Sequence, residues 1–204
     1  MRYRSPQKIK NMIKPDYSLY LNKPQMLDWI ESEWLAHPEI HDSYAKAIND
    51  VIKKYNCKTV TEFGCGSGEV ARRIKNVQYL GCDVNESVLA LARKKSDHEF
   101  RMFDIRAVDS GVLPQSDIVC AFAFLKHFGL HEWPSIFKRV CSLGKKMLVF
   151  DMPIAEQTKD DGLEYHHVWM SSLELLTHIT DNGFNVIETR KDNPIEPLFI
   201  CKRK

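Results

Sequence analysis

Three alternate glycines, Gly64, Gly66 and Gly68, follow Glu62 at the end of the apolar and β-branched run Thr59-Val60-Thr61-Glu62-Phe63. Glycines so spaced allow positive φ in a tight turn and leave no Cβ where a ligand meets the backbone. A helix start beyond them would offer unpaired N–H groups and a positive dipole end. Asp83 closes a second apolar run, Val77-Gln78-Tyr79-Leu80-Gly81-Cys82. It lies about twenty residues past the first glycine, where a carboxylate can accept both ribose hydroxyls of a nucleoside. A third run, Phe100-Arg101-Met102-Phe103, ends on Asp104. Read singly, each acid is equally a helix cap or a loop residue. Their meaning comes from standing in order at successive strand ends. His127 has the titration range of a general base for a hydroxyl or amine, although a histidine flanked by aromatics also reads as structural.

These residues need a parallel sheet to bring them together. The spacing predicts a strand over Thr59–Phe63, the glycine turn, then a helix start with Val70 and Ile74 apolar and Glu69, Arg72, Arg73 and Lys75 polar. Asn85 caps an expected helix through Lys95, with Val88, Leu89, Leu91 and Ala92 facing the sheet. Ser116 to Phe124 is almost continuously apolar, as a parallel strand buried on both faces requires. A helix from His131 to about Cys141 and a fifth strand, Met147–Asp151, follow. After a less regular stretch, Met152 to Met170, come a helix from Ser171 to about Asn182, closed by Gly183, and two last strands, Phe184–Thr189 and Leu198–Cys201. The gap between those strands leaves no room for a crossover helix, so they should pair antiparallel. Ahead of the glycines, helices are expected over Lys23–Ala36 and His41–Tyr55, separated by His37-Pro38. Arg2, Arg4, Lys8, Lys10 and Lys14 make the first segment basic, either a solvated terminus or an arm that steers an anion.

The mouth of such a sheet lies at the carboxyl ends of its strands. That puts Phe122, Lys126 and His127 beside it, together with Tyr165, His166, His167 and Trp169 after the fifth strand. Adjacent histidines on a strand point to opposite faces and no third ligand is placed, so no metal site is assigned. At position 69, where the nicotinamide pattern Gly-x-Gly-x-x-Gly needs glycine, the chain has Glu69.

The acidic-x-Gly-x-Gly-x-Gly spacing, with Asp83 and Asp104 at the next strand ends, resembles motif I and its downstream acids in the class I S-adenosylmethionine (SAM)-dependent methyltransferases. The likeness runs from about Lys58 to Lys202. It implies an α/β, three-layer Rossmann-like fold with a mostly parallel seven-stranded sheet and an antiparallel last strand. Residues 57–204 would be the SAM-binding domain and residues 1–56 an N-terminal arm and helical cap. By the same resemblance Glu62 meets the methionyl ammonium, and Gly64, Cys65, Gly66 and Gly68 lie against the methionyl part. Asp83 and Val84 take the ribose, Asp104 takes the adenine amine, and Phe103, Ile105 and Phe122 are apolar neighbours of the cofactor. His127 falls where small-molecule enzymes of this fold often carry a histidine. Lys126, Tyr165, His166, His167 and Trp169 would face the acceptor, with Tyr17 and Tyr20 packed over the mouth.

SAM carries its methyl on a sulfonium, so the protein supplies alignment and, where needed, a base rather than a covalent nucleophile. The expected reaction is methyl transfer to oxygen or nitrogen of a small molecule, with S-adenosylhomocysteine as product. Alternatives are an RNA or protein side-chain methyltransferase that uses the basic arm, and a SAM-binding protein without turnover. The fourth run lacks the Asn/Asp-Pro-Pro-Tyr/Phe and Pro-Cys patterns, which disfavours DNA-base methylation. The 204 residues suit one domain with an appendage, and a net charge of +2 points to no partner. Six scattered cysteines without Cys-x-x-Cys read as reduced thiols of a cytosolic protein. No apolar run reads as a signal peptide or a membrane span.

Overall fold

Strands β1 (Thr59–Phe63), β2 (Gln78–Asp83), β3 (Glu99–Met102), β4 (Ser116–Ala121) and β5 (Gly144–Asp151) run parallel, and β10 (Leu198–Arg203) pairs antiparallel with β5 and with β9 (Phe184–Arg190). The seven-stranded order is β3-β2-β1-β4-β5-β10-β9, in a computed structural model that describes residues 35–107, 112–160, 167–191 and 196–204. The expected antiparallel last strand is there. Among the described residues four helices, α1 (Pro38–Tyr55), α2 (Glu86–Lys95), α3 (Trp133–Leu143) and α4 (Ser172–Asp181), complete three layers.

Alternation along the central strands explains the layering. On β4, Ile118 and Cys120 join Met147 and Val149 of β5 in one buried cluster with Tyr44 and Ile48 of α1 and Leu89 of α2. Val119 and Ala121 join Leu148 and Phe150 in the other, with Phe137 of α3 and Ile179 of α4. Both faces are covered, so these strands have no polar phase. The first expected helix and the basic arm, with Tyr17 and Tyr20, fall outside the described residues except for Leu35 and Ala36, which form a turn. Pro38, expected to separate two helices, opens α1 instead, a position where its missing N–H is not needed. Expected as part of a cap, α1 packs as a layer helix on the sheet through Tyr44, Ala45, Ile48 and Val51. The irregular stretch after β5 holds a small sheet in the order β6 (Ile154–Ala155), β8 (Val168–Ser171), β7 (Lys159–Asp160).

One local expectation fails. The glycine turn leads into a single 3-10 turn, Ala71–Arg73, and not into an α-helix. Only residues 69–77 remain to return along β1 before β2 starts. As α-helix those nine residues would reach about 13 Å, short of the roughly 17–20 Å of a typical strand, so much of the segment must be extended. Glu69 holds this short return in place. Its carboxylate is 2.7 Å from Arg72 Nε, 2.9 Å from Arg73 Nη1 and 2.7 Å from Lys95 Nζ, which ties the turn to the end of α2.

Those three cations overcome the effect of burial and bring the Glu69 carboxyl down to about 2. Its stabilisation is therefore complete above the unfolded value near 4.5 and is lost as pH falls towards 2. Glu69→Gln should lower neutral-pH stability by on the order of 2 kcal/mol, allowing for screening at the half-exposed Arg72, and should flatten that acid limb. Urea melts of both proteins between neutral and acidic pH measure the difference. Parallel pH profiles would remove this role from Glu69.

Candidate active site

The glycine turn is fastened to its neighbour strand before any ligand arrives. The N–H groups of Gly64 and Cys65 both donate to the carbonyl of Cys82, at 2.8 and 3.1 Å. Gly64 has φ +70°, and a Cβ there would come within 2.6 Å of the Phe124 ring. Gly66 has φ +52° and different surroundings: a Cβ would meet nothing within 4 Å. The N–H of Gly66 donates to Asp83 Oδ2 at 3.0 Å, and that of Asn85 to Oδ1 at 3.0 Å. Burial pushes the Asp83 carboxyl up, while the backbone amides of Asn85, Gly66 and Val84 pull it back. Asn85 caps α2 by accepting from Ser87 and Val88, as its position suggested.

The other residues expected on the cofactor side occupy three kinds of place. Glu62, at the end of β1, is buried with its carboxyl accepting from the Tyr79 hydroxyl. Burial, then the charge of Asp83, pushes it well above the usual carboxylate range. Asp104 is half-buried two residues past β3, and Oδ1 accepts from the backbone N–H of Arg106 at 2.9 Å. Phe103 and Ile105 on either side are anchored in the core. Phe122, expected on strand four, lies beyond it and is buried with its ring stacked on Tyr44 at 4.3 Å. It supports the site from the α1 layer.

Strand β4 stops at Ala121, three residues early, because Asp151 captures the chain. Its Oδ1 accepts from the N–H of Ala123 at 2.7 Å, and Ala123 takes φ +47°. The following 3-10 turn, Leu125–His127, sets Lys126 and His127 apart. Lys126 is buried, its ammonium 2.7 Å from Glu196 Oε1, so it forms the wall and not an exposed contact. His127 is half-buried with its ring 6.2 Å from that of His167. His167 stacks on Trp169 at 4.3 Å and is 3.7 Å from the same Glu196 oxygen. Tyr165 and His166 lie outside the described residues. Asp151 also accepts from the Tyr44 hydroxyl. Burial and the charge of Glu196 raise it to about 6 against the pull of Lys126, Tyr44 and the Ala123 amide. Glu196 escaped the sequence reading, since its partner is 70 positions away and its only local signal is an acid before Pro197 at the start of the last strand. Surface cavities of 360 and 510 Å³ lie elsewhere, the first beside Tyr55, Lys145 and Lys202 at the opposite end of the strands.

The carboxyl ends of β1 to β5 thus carry the glycine turn, two buried acids and an imidazole wall on one edge. A sequence-family model described as a methyltransferase domain matches residues 60–146. The fold is that of the class I, SAM-dependent enzymes. A SAM-bound magnesium protoporphyrin IX methyltransferase from Synechocystis PCC 6803 superposes with a TM-score of 0.71 at 16% identity, covering 95% of this chain and 100% of that one. A SAM-bound amino pentose methyltransferase from Micromonospora echinaspora gives 0.66 at 14%, over 81% and 92%. Streptomyces venezuelae DesVI gives 0.70 at 13%, over 89% and 100%. No curated protein sequence matches the chain. No helix among the described residues is long and apolar enough to cross a membrane.

The residues at this sheet edge fit SAM. The side of Gly66 where a Cβ would project is open, and the neighbouring Ser67 hydroxyl is buried without a hydrogen-bond partner among the described residues. Each Asp83 oxygen accepts one backbone N–H and keeps acceptor capacity for a ribose hydroxyl.

Gly66→Ala should fold, at about 1–2 kcal/mol for the left-handed backbone, yet bind SAM more weakly because its Cβ enters the open space. Gly64→Ala adds the collision with Phe124 and should unfold at markedly lower temperature. Thermal melts and calorimetric titration separate the two effects. Undiminished SAM affinity in Gly66→Ala would move the cofactor off the turn. Asp83→Ala should lose affinity for both SAM and S-adenosylhomocysteine while keeping its far-ultraviolet spectrum, and retained binding would refute the ribose assignment.

Proposed function

We propose that the chain moves the SAM methyl to an oxygen or nitrogen of a small-molecule acceptor, with His127 taking the acceptor's proton. The observation that carries this reading is the position of His127. It follows β4 on the same sheet edge as Asp83, half-exposed, within an imidazole and aromatic wall formed with His167, Trp169 and Phe124. Glu62, Gly64, Cys65, Gly66 and Gly68 would hold the methionyl end, Asp83 and Val84 the ribose, and Asp104 with Ile105 the adenine. The bound cofactor supplies an electrophilic methyl and a neutral thioether leaving group. The protein orients the acceptor, excludes water and removes one proton. Relatives of the fold named for a porphyrin and for an amino pentose support a small molecule as acceptor.

The test starts with titration of SAM and S-adenosylhomocysteine against an NADH control, followed by an acceptor screen with methyl-labelled SAM. In the active pair, His127→Ala should lower kcat by about 10²–10⁴ with unchanged affinity for S-adenosylhomocysteine. Full turnover in the variant would return His127 to a structural role. Absence of adenosyl-ligand binding in the wild type would overturn the reading as a whole.

A further inference from the structure

The antiparallel last strand also shapes the end of the sheet remote from the glycine turn. Because β10 runs against β5, its last residues lie beside the first of β5, with Lys202 opposite Met147. The carboxyl end of α1 meets them there, and the three segments enclose the 360 Å³ cleft. Five of its seven lining residues, Lys145, Lys146, Lys202, Arg203 and Lys204, are cationic; the other two are Tyr55 and Met147. Part of this charge is used by the fold. Arg203 donates to the carbonyls of Cys141 and Gly144, at 2.6 and 2.7 Å, and Lys204 to that of Thr180 at 2.9 Å. These bonds satisfy carbonyls at the ends of α3 and α4. Lys146 is 3.1 Å from Asp117.

The rest is uncompensated. Lys54, Lys145 and Lys202 are exposed and form an ion pair with no acid among the described residues. Two of them converge on one ring, the ammoniums of Lys54 and Lys202 lying 5.4 and 5.7 Å from the centre of Tyr55. The ring attracts each cation, but like charges gathered without a counter-charge repel. The negative dipole end of α1 accounts for Lys54, not for Lys145 and Lys202, which stand on strands. The whole chain carries a net charge of only +2, so this concentration comes from placement and not from composition.

We propose that the cleft binds the phosphate backbone of a single-stranded nucleic acid, as a docking surface separate from the methyl-transfer site. The cations are spread over α1, β5 and β10, which suits a ligand charged at several points. A lone phosphate would use a helix N-terminus, whereas α1 and α3 both end here with their carboxyl ends. A membrane would call for apolar side chains at the rim. None of the exposed large hydrophobic residues, Met102, Val112, Leu130, Leu173, Leu176 and Ile187, lines the cleft. A phosphodiester chain meets separated ammoniums one after another and releases their counterions, and Tyr55 offers a ring to a base. An unpaired strand can enter such a concavity, while a duplex carries its phosphates on a convex cylinder. The eight residues of β5 put the cleft roughly 25 Å from Asp151. The nucleotides it holds are therefore not those that could receive the methyl group.

Fluorescence anisotropy of the full chain with a labelled uridylate oligomer of about twelve nucleotides tests this without SAM or turnover. Binding should saturate, and log affinity should fall against log salt with a slope of about −2 to −3, as three or four neutralised phosphates require. Lys54→Glu/Lys145→Glu/Lys202→Glu should weaken binding by about tenfold or more, with its circular dichroism and its affinity for S-adenosylhomocysteine unchanged. Lys94→Glu/Lys138→Glu/Lys191→Glu makes the same change of net charge outside the cleft and should cost about threefold at most. Equal losses in the two variants would reduce the effect to overall charge. Full binding by the first would move the affinity elsewhere on the chain. Either result overturns the proposal, as does a wild type that ignores the oligomer at low salt. Tighter binding of a duplex of the same length would refute the single strand, and association with phosphatidylserine vesicles instead of the oligomer would refute nucleic acid. Failure of the wild type to bind SAM would undo the methyl-transfer reading and leave this test intact.

Discussion

The carbonyl of Cys82 is the point on which the glycine turn depends. It accepts the N–H groups of Gly64 and Cys65, so the turn that leaves β1 is pinned to the strand that ends in Asp83. Asp83 returns the tie by accepting from Gly66. With these bonds made, the turn needs left-handed backbone at its glycines, and Phe124 can pack against Gly64 because no Cβ intervenes. The glycine turn and the segment after β4 therefore meet at one ring. Preorganisation here comes from two main-chain bonds to Cys82 and one to the Asp83 carboxylate.

The sheet edge beyond β4 and β5 is governed by buried charge. Asp151 and Glu196 sit at the junction of the parallel and antiparallel parts of the sheet, where β5 pairs with β10. Asp151 ends β4 by holding the Ala123 amide, and Glu196 holds Lys126 from across the edge. Removing charges from water is unfavourable unless each finds a partner, so the network constrains the wall more tightly than apolar packing would. The same constraint fixes where two imidazoles stand.

Most of the framework was legible in the chain. Continuous apolar runs at β4 and β5 announced strands buried on both faces, and the short gap before Leu198 announced an antiparallel pair. Asn85 and Ser171 cap their helices as such residues do locally. The 3-10 turn after Gly68 was not legible, since Val70 and Ile74 have helical spacing but the return distance along β1 is a property of the folded sheet. Nor was the exposure of Lys126, which looked like a surface contact and is buried by a partner far along the chain.

The sequence by itself determined which residues end the parallel strands, because apolar periodicity and glycine chemistry are local. It thereby put the glycine turn, Asp83 and Asp104 at successive ends of parallel strands. Only the tertiary structure decided the buried charge network beyond β4 and β5. Glu196, Asp151, Lys126 and His167 come from four separate segments, and their charges matter only when burial removes water from between them.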